Sequence, residues 1–198
     1  VHLVLARLPD APVGTRGISL FLVPKVLPET GETNTVTVGS IEHKMGLNGS
    51  ATCVLNFDRA TGWLLGEPHQ GLGAMFIMMN AARLGVGVQG LAHAEHAYQR
   101  AAAYALDRRQ GRAAGTRADP AAAADPLIVH PDVRRMLLAQ ISYAEGGLGL
   151  VLYCAKLVDE ARIAREAGDA AAAASRELLL DILTPIAKSW PSQWCLAG

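Results

Sequence analysis

The sequence predicts an α+β protein in which part of an antiparallel β-domain is followed by an antiparallel bundle of long α-helices. Three observations carry this reading. The first sixty or so residues are rich in β-branched types, turn residues break that stretch at short intervals, and apolar residues recur at three-and-four spacing from Gly71 onward.

Taken in order, Val1 to Arg7, Ile18 to Pro24, Thr35 to His43 and Ala51 to Phe57 read as strands. Pro9–Gly14, Pro28–Asn34 and Asn48-Gly49-Ser50 supply the turns between them. Connections this short join antiparallel neighbours, because a parallel crossover needs more chain. After Pro68 the pattern changes. Gly71 to Arg109 places Met75, Met78, Met79, Leu84, Val88, Leu91 and Tyr98 at helical spacing, a length that suits a bundle of long helices. Ala113 to Asp125 reads as an exposed connection, since Gly115, Pro120 and Pro126 oppose a helix there. His130-Pro131-Asp132 opens a second helix reaching about Ala167, with proline in its first turn. Gly168-Asp169 punctuates the chain, Ala170 to Ile182 begins a third helix, and Thr184-Pro185 is expected to kink or interrupt it.

Composition bounds the function. Of the residues, 51% are apolar, enough to bury a core, and Lys plus Arg equals Asp plus Glu at 18 each. No global field therefore favours nucleic acid or an anionic membrane surface. Charged or glycine residues break every apolar run, so no membrane span is expected. Cys53, Cys154 and Cys195 lie far apart and outside any CxxC spacing, which points to reduced thiols and a cytoplasmic setting. The chain opens in a strand-like run without an initiator methionine or a signal peptide, as a sequence would that starts in mid-fold.

Gly85-Val86-Gly87-Val88-Gln89-Gly90 matches the dinucleotide fingerprint G-x-G-x-x-G. That fingerprint functions only where it follows a buried strand and opens a helix. Here it sits inside a helical pattern, so the glycines are read as a place where a neighbouring helix or a flat ligand comes close to the backbone. His93-Ala94-Glu95-His96 has no completing metal ligand and reads as a solvated helix face; His130 reads as a helix-start residue. Arg83, on a largely apolar face, needs either a protein carboxylate or an anionic or carbonyl-bearing ligand. Arg108-Arg109 beside Gln110 offers forked donors suited to phosphate, with simple solvation as the alternative.

Several segments taken together resemble the acyl-CoA dehydrogenase family. Gly17-Ile18-Ser19-Leu20-Phe21-Leu22-Val23 is similar to its G-I-S-x-F-x-V strand, and Lys44-Met45-Gly46-Leu47-Asn48-Gly49-Ser50-Ala51-Thr52 to its K-M-G-x-x-G-S-x-T hairpin. Phe57-Asp58, Leu65-Gly66-Glu67 and Gly71-Leu72 resemble the family's final strand and helix entry, and Tyr104 to Gly111 its helix end. Gly62–Pro68, Met78–Arg83 and His130–Leu137 resemble the branch that contains 3-methylmercaptopropionyl-CoA dehydrogenase.

The resemblance implies a division into the end of a middle β-domain over 1–68, the start of a C-terminal helical domain over 69–188, and a divergent tail over 189–198. It implies FAD as cofactor, an acyl-CoA oxidised to the 2,3-enoyl-CoA, and an electron-transferring flavoprotein as acceptor. Asn80 and Arg83 would fall in the acyl-CoA region, and Ser50 near the bound CoA. Arg108 and Gln110 would reach the FAD of a neighbouring subunit, which makes a homodimer or homotetramer part of the site. Ala82 stands where some relatives carry the glutamate base, and the other usual base lies beyond the matching stretch, so no catalytic residue is assigned. The chain is accordingly expected to be a fragment inactive in isolation, with a non-catalytic helical oligomerisation module as the competing reading.

Overall fold

The computed structural model describes residues 1–115 and 120–195. Residues 116–119 of the expected 113–125 connection and 196–198 of the tail therefore lie outside the described residues. The chain forms two compact units, Val1–Met78 and Met79–Gly198.

In the first unit, β1 (His2–Arg7), β2 (Ile18–Val23) and β5 (Trp63–Leu65) make an antiparallel sheet in the order β1-β2-β5. A second antiparallel pair joins β3 (Val36–Ile41) to β4 (Cys53–Phe57), with a register irregularity between Val38 and Ser40. β2 has a partner on each side, and Ser19, Leu20 and Val23 are buried in consequence. β1, an edge strand, alternates half-buried with exposed positions as a one-sided strand should. The sequence predicts four strands, and five are present among the described residues. β5 has only three residues, too few for a period-two signal, and is defined by long-range pairing of Trp63 with Leu22 and Leu65 with Leu20.

Asn34 ties the connections of this unit together. Its Nδ2 donates to the carbonyls of Pro24 and Thr61, each at 2.8 Å, while Oδ1 accepts from the backbone N–H groups of Thr35 and Thr61, each at 3.0 Å. A buried amide satisfied on both sides fixes the loops that flank β2 and β5.

α1 runs without interruption over Gly71–Asp107, about 55 Å at the helical rise. Its entry is held against β2. The His69 N–H donates to Ser19 Oγ at 2.9 Å, and a Cβ at Gly71 would lie 2.4 Å from the Ser19 carbonyl carbon, so only glycine fits. Continuity through Gly85–Gly90 eliminates the dinucleotide-fold reading, which requires a strand-to-helix turn there. The helix stops two residues before the expected Arg109, because Arg109 bridges to Pro126 instead.

α2 (Pro131–Glu166) begins with proline at its first position and ends at Gly168, whose φ of 78° closes the helix in the left-handed conformation. Asp169 then caps α3 (Ala170–Trp194) by accepting from the Ala172 N–H at 2.9 Å. α2 and α3 pack as an antiparallel hairpin over Leu137, Ala144, Val151, Cys154, Leu157, Ala173 and Ala187. α3 is longer than expected. Thr184-Pro185 does not interrupt it, and Ser189 to Trp194 of the divergent tail continue it with Pro185 and Pro191 inside.

The second proline explains itself through packing. Lacking an N–H, Pro191 leaves the Ala187 carbonyl without its helical donor. That carbonyl faces α1 at Gly87, where an added Cβ would lie 2.4 Å from the oxygen. Gly90 meets Pro191, and Gly147 of α2 meets Leu91 and Trp190. Gly87 and Gly90 thus serve close helix approach, whereas a Cβ at Gly85 would meet nothing within 4 Å. Tyr143 packs edge-on against Trp190 at 5.8 Å, so the tail contributes to the core.

Contrary to the expectation from charged and glycine interruptions, α1 and α2 each contain a stretch long and apolar enough on composition to cross a membrane. Most of each stretch is unburied, while part of α2 packs against α3.

Candidate functional site

The residues singled out in the sequence fall into three places. Ser50 lies in the first unit, in the turn between β3 and β4. The backbone N–H of Ser50 donates to the Leu47 carbonyl at 2.9 Å, and the Lys44 ammonium donates to the Ser50 carbonyl. Leu47, at a φ of 54°, takes the left-handed conformation that closes the turn. Met45 and Leu47 are fully or largely exposed at its tip.

In the second unit, Asn80 and Arg83 sit one turn apart on α1, and Arg83 Nη1 donates to Asn80 Oδ1 at 3.2 Å. The Asn80 amide oxygen thereby orients the guanidinium of this half-buried arginine. Ala82 lies beside them, so this turn carries no carboxylate base. His93 and His96 are exposed on the same helix, with His93 Nδ1 bonded to the Gln89 carbonyl at 2.7 Å.

Arg108 and Gln110 lie just beyond the far end of α1, roughly 37 Å from Arg83 along the helix at 1.5 Å per residue. Both are exposed. Among the described residues the Arg108 side chain has no ion-pair partner, while its carbonyl accepts from the Leu127 N–H at 2.8 Å. The Gln110 N–H donates to the Asp125 carbonyl at 2.9 Å, and the Asp125 N–H returns to the Gly111 carbonyl at 3.0 Å. A short antiparallel ladder thus holds the segment after α1 against Asp125–Leu127.

Two residues that sequence reasoning missed complete this ladder. Asp125 is wholly buried; its Oδ2 accepts from the Ala113 N–H at 3.0 Å and its Oδ1 from Arg112 Nη1 at 3.1 Å. The Ala113 N–H, followed by the Arg112 guanidinium and the charge of His130, holds the Asp125 carboxyl below its usual range despite burial. His130, read as a helix-start residue, indeed precedes α2 but makes no side-chain cap; its Nε2 bonds the Gln110 carbonyl at 2.9 Å. Neither contact has a periodic sequence signature, because each joins residues 12 or more positions apart.

The exposed Arg108 guanidinium and the amide of Gln110, on a backbone braced from below, form a donor set that suits a phosphate-bearing ligand. The three cysteines are free; burial pushes the thiols of Cys154 and Cys195 up. Among the described residues no three metal-ligating side chains gather.

Solved structures define the class of fold. An FAD-complexed acyl-CoA dehydrogenase from Bacillus anthracis aligns with a TM-score of 0.72 at 22% identity, over 98% of this chain and 30% of that one. Caenorhabditis elegans ACDH-11 in complex with C11-CoA aligns with a TM-score of 0.75 at 23% identity, over 96% and 29%. The architecture is therefore part of the acyl-CoA dehydrogenase fold. Among curated proteins, 3-methylmercaptopropionyl-CoA dehydrogenase of Ruegeria pomeroyi is 48% identical over 194 residues, covering 96% of this chain and 32% of the relative. Broad-specificity linear acyl-CoA dehydrogenase FadE5 of Mycobacterium tuberculosis is 45% identical over 169 residues, covering 81% and 28%. No family model matches the chain. On these relatives the chain belongs to the acyl-CoA dehydrogenase family, and it spans about a third of the length of the curated proteins it matches.

Proposed function

We propose that the chain is part of an FAD-dependent enzyme that oxidises an acyl-CoA thioester to its 2,3-enoyl-CoA. The observation that carries this is the 48% identity to 3-methylmercaptopropionyl-CoA dehydrogenase across nearly the whole chain. Bound FAD would supply the two-electron oxidant. Arg83, oriented by Asn80, would bind the acyl-CoA region through its guanidinium, and Ser50 would lie beside the CoA. Arg108 and Gln110 would donate to the flavin cofactor's polar groups. Separation of Arg83 from Arg108 by roughly 37 Å of helix supports a division of labour between two sites. Arg108 would then serve the cofactor of a neighbouring copy in a homodimer or homotetramer. An electron-transferring flavoprotein is the proposed acceptor, and three free thiols support a cytoplasmic setting.

No residue of this chain is assigned as the base that removes the proton next to the thioester carbonyl. Two exposed side chains on one turn cannot enclose a cofactor, so the purified chain is expected to retain little FAD through gel filtration and to show negligible turnover. Recovery of stoichiometric yellow protein would overturn this.

A second reading, a non-catalytic oligomerisation module, is favoured by one observation. Ile77 and Leu106 of α1 and Leu138 and Leu152 of α2 are exposed apolar side chains on long helices. That reading expects self-association, and sedimentation as a monodisperse monomer at low concentration would remove it.

A further inference from the structure

The segment that leaves α1 is exposed on one side and braced on the other. Arg108, Arg109, Gln110 and Arg112 follow one another within five residues, a concentration of donors and positive charge at a helix end. A helix C-terminus carries carbonyls without helical donors and frays unless something holds the chain that follows. What holds it here is the backbone ladder to Asp125–Leu127, with His130 bonding the Gln110 carbonyl, Arg109 donating to the Ala124 carbonyl and the buried Asp125 carboxylate securing the two residues that follow Gly111. Asp125 takes the Ala113 N–H on one oxygen and Arg112 on the other, while Arg112 also donates to the Ala122 carbonyl.

We infer that Asp125 is a positioning residue: its carboxylate fixes the turn Arg108–Ala113 and thereby the direction in which Arg108 and Gln110 meet an anionic cofactor. The inference rests on the proposed reading of those two residues as flavin-facing groups. Three features of the geometry support it. The carboxylate is wholly buried, so its bonds are not exchanged for water. Its partners belong to the segment that follows Gln110, so they act on that segment directly. By pairing with Asp125, Arg112 is turned inward, which separates it in role from Arg108, whose side chain stays outside.

The groups facing the carboxylate are the Ala113 N–H and the Arg112 guanidinium from the chain after α1, and His130 from the start of α2. They lower its folded pKa. The brace is therefore fully present above the ordinary aspartate range near 3.9 and is lost as pH falls through the lower folded value.

The test uses the whole chain, labelled for NMR, with inorganic pyrophosphate as probe of the anionic bridge in a flavin dinucleotide. The wild-type protein is expected to show saturable shifts at the Arg108 and Gln110 amides. Asp125→Asn, nearly isosteric, is expected to weaken that binding by about tenfold. It should also speed amide exchange at Gln110 and Ala113 while leaving exchange in the α2–α3 hairpin unchanged. A purely structural role would lower the melting point without this local pattern. Unchanged affinity and unchanged exchange at Gln110 would overturn the positioning role and leave the flavin reading standing. A wild-type chain whose Arg108 and Gln110 signals ignore pyrophosphate would overturn the flavin reading, and the inference with it. If Asp125→Asn does not fold, acid titration of the wild-type chain decides. Gln110 and Ala113 signals that move together below the ordinary aspartate range support the role, and signals indifferent to acid overturn it.

Discussion

Gly87→Ala is expected to destabilise the helical unit while Gly85→Ala, two residues earlier on α1, stabilises it. Alanine is the better helix former by about 1 kcal/mol, so propensity alone would make both changes favourable. Packing reverses the sign at one of them. A Cβ at Gly87 would lie 2.4 Å from the Ala187 carbonyl oxygen and 3.5 Å from Val151, whereas a Cβ at Gly85 meets nothing within 4 Å. Relieving the clash must move α1 away from α3, and overpacking of this kind costs about 1–3 kcal/mol, with loss of the Tyr143–Trp190 neighbourhood added. The gain at Gly85 is about 0.5–1 kcal/mol. Urea unfolding followed by the helical circular dichroism signal measures both. Equal stabilities for the two variants would mean that α1 and α3 do not meet at this point in solution.

Asn34→Ala is expected to cost about 2–4 kcal/mol, because four hydrogen bonds vanish and leave buried backbone groups unpartnered. Asn34→Asp should cost at least as much despite its matching shape. A carboxylate can still accept from the Thr35 and Thr61 N–H groups, but it turns a second oxygen toward the Pro24 and Thr61 carbonyls, where the amide donates at 2.8 Å. Thermal unfolding followed by the fluorescence of Trp63, on β5 two residues past Thr61, reports on that unit once Trp190 and Trp194 are replaced by phenylalanine in both proteins compared. An Asn34→Asp protein as stable as wild type would sink the claim that the Nδ2 donors hold these loops.

The elements that could be read from the sequence are those with a local cause. Helix α1 follows from apolar spacing, α2 from Pro131 in its first turn, and the α2–α3 corner from Gly168 and Asp169. Gly87 was legible as a point of close approach because a glycine in a helix otherwise costs stability. What escaped depends on partners distant in sequence. β5 exists only by pairing with β2, and the Asn34 amide spans 27 positions to Thr61. Thr184-Pro185 reads locally as a kink or interruption of the third helix, yet the helix runs through it and through Pro191, whose freed carbonyl partner Ala187 faces Gly87. Of the site, Arg83 and Arg108 stood out as charge on or at the end of an apolar helix. The brace formed by Asp125 and His130 did not, since nothing around Asp125 distinguishes it from an exposed loop aspartate until the chain folds back.

The length of α1 sets how damage would be shared in the proposed assembly. A copy altered at Arg83 and a copy altered at Arg108 are changed roughly 37 Å apart along the same rod, and because each Arg108 would serve the neighbouring copy, a mixed pair gathers both lesions into one reaction centre. The other centre of that pair receives an intact Arg83 from one copy and an intact Arg108 from its neighbour, so the length of the rod lets two singly damaged copies assemble one undamaged centre between them.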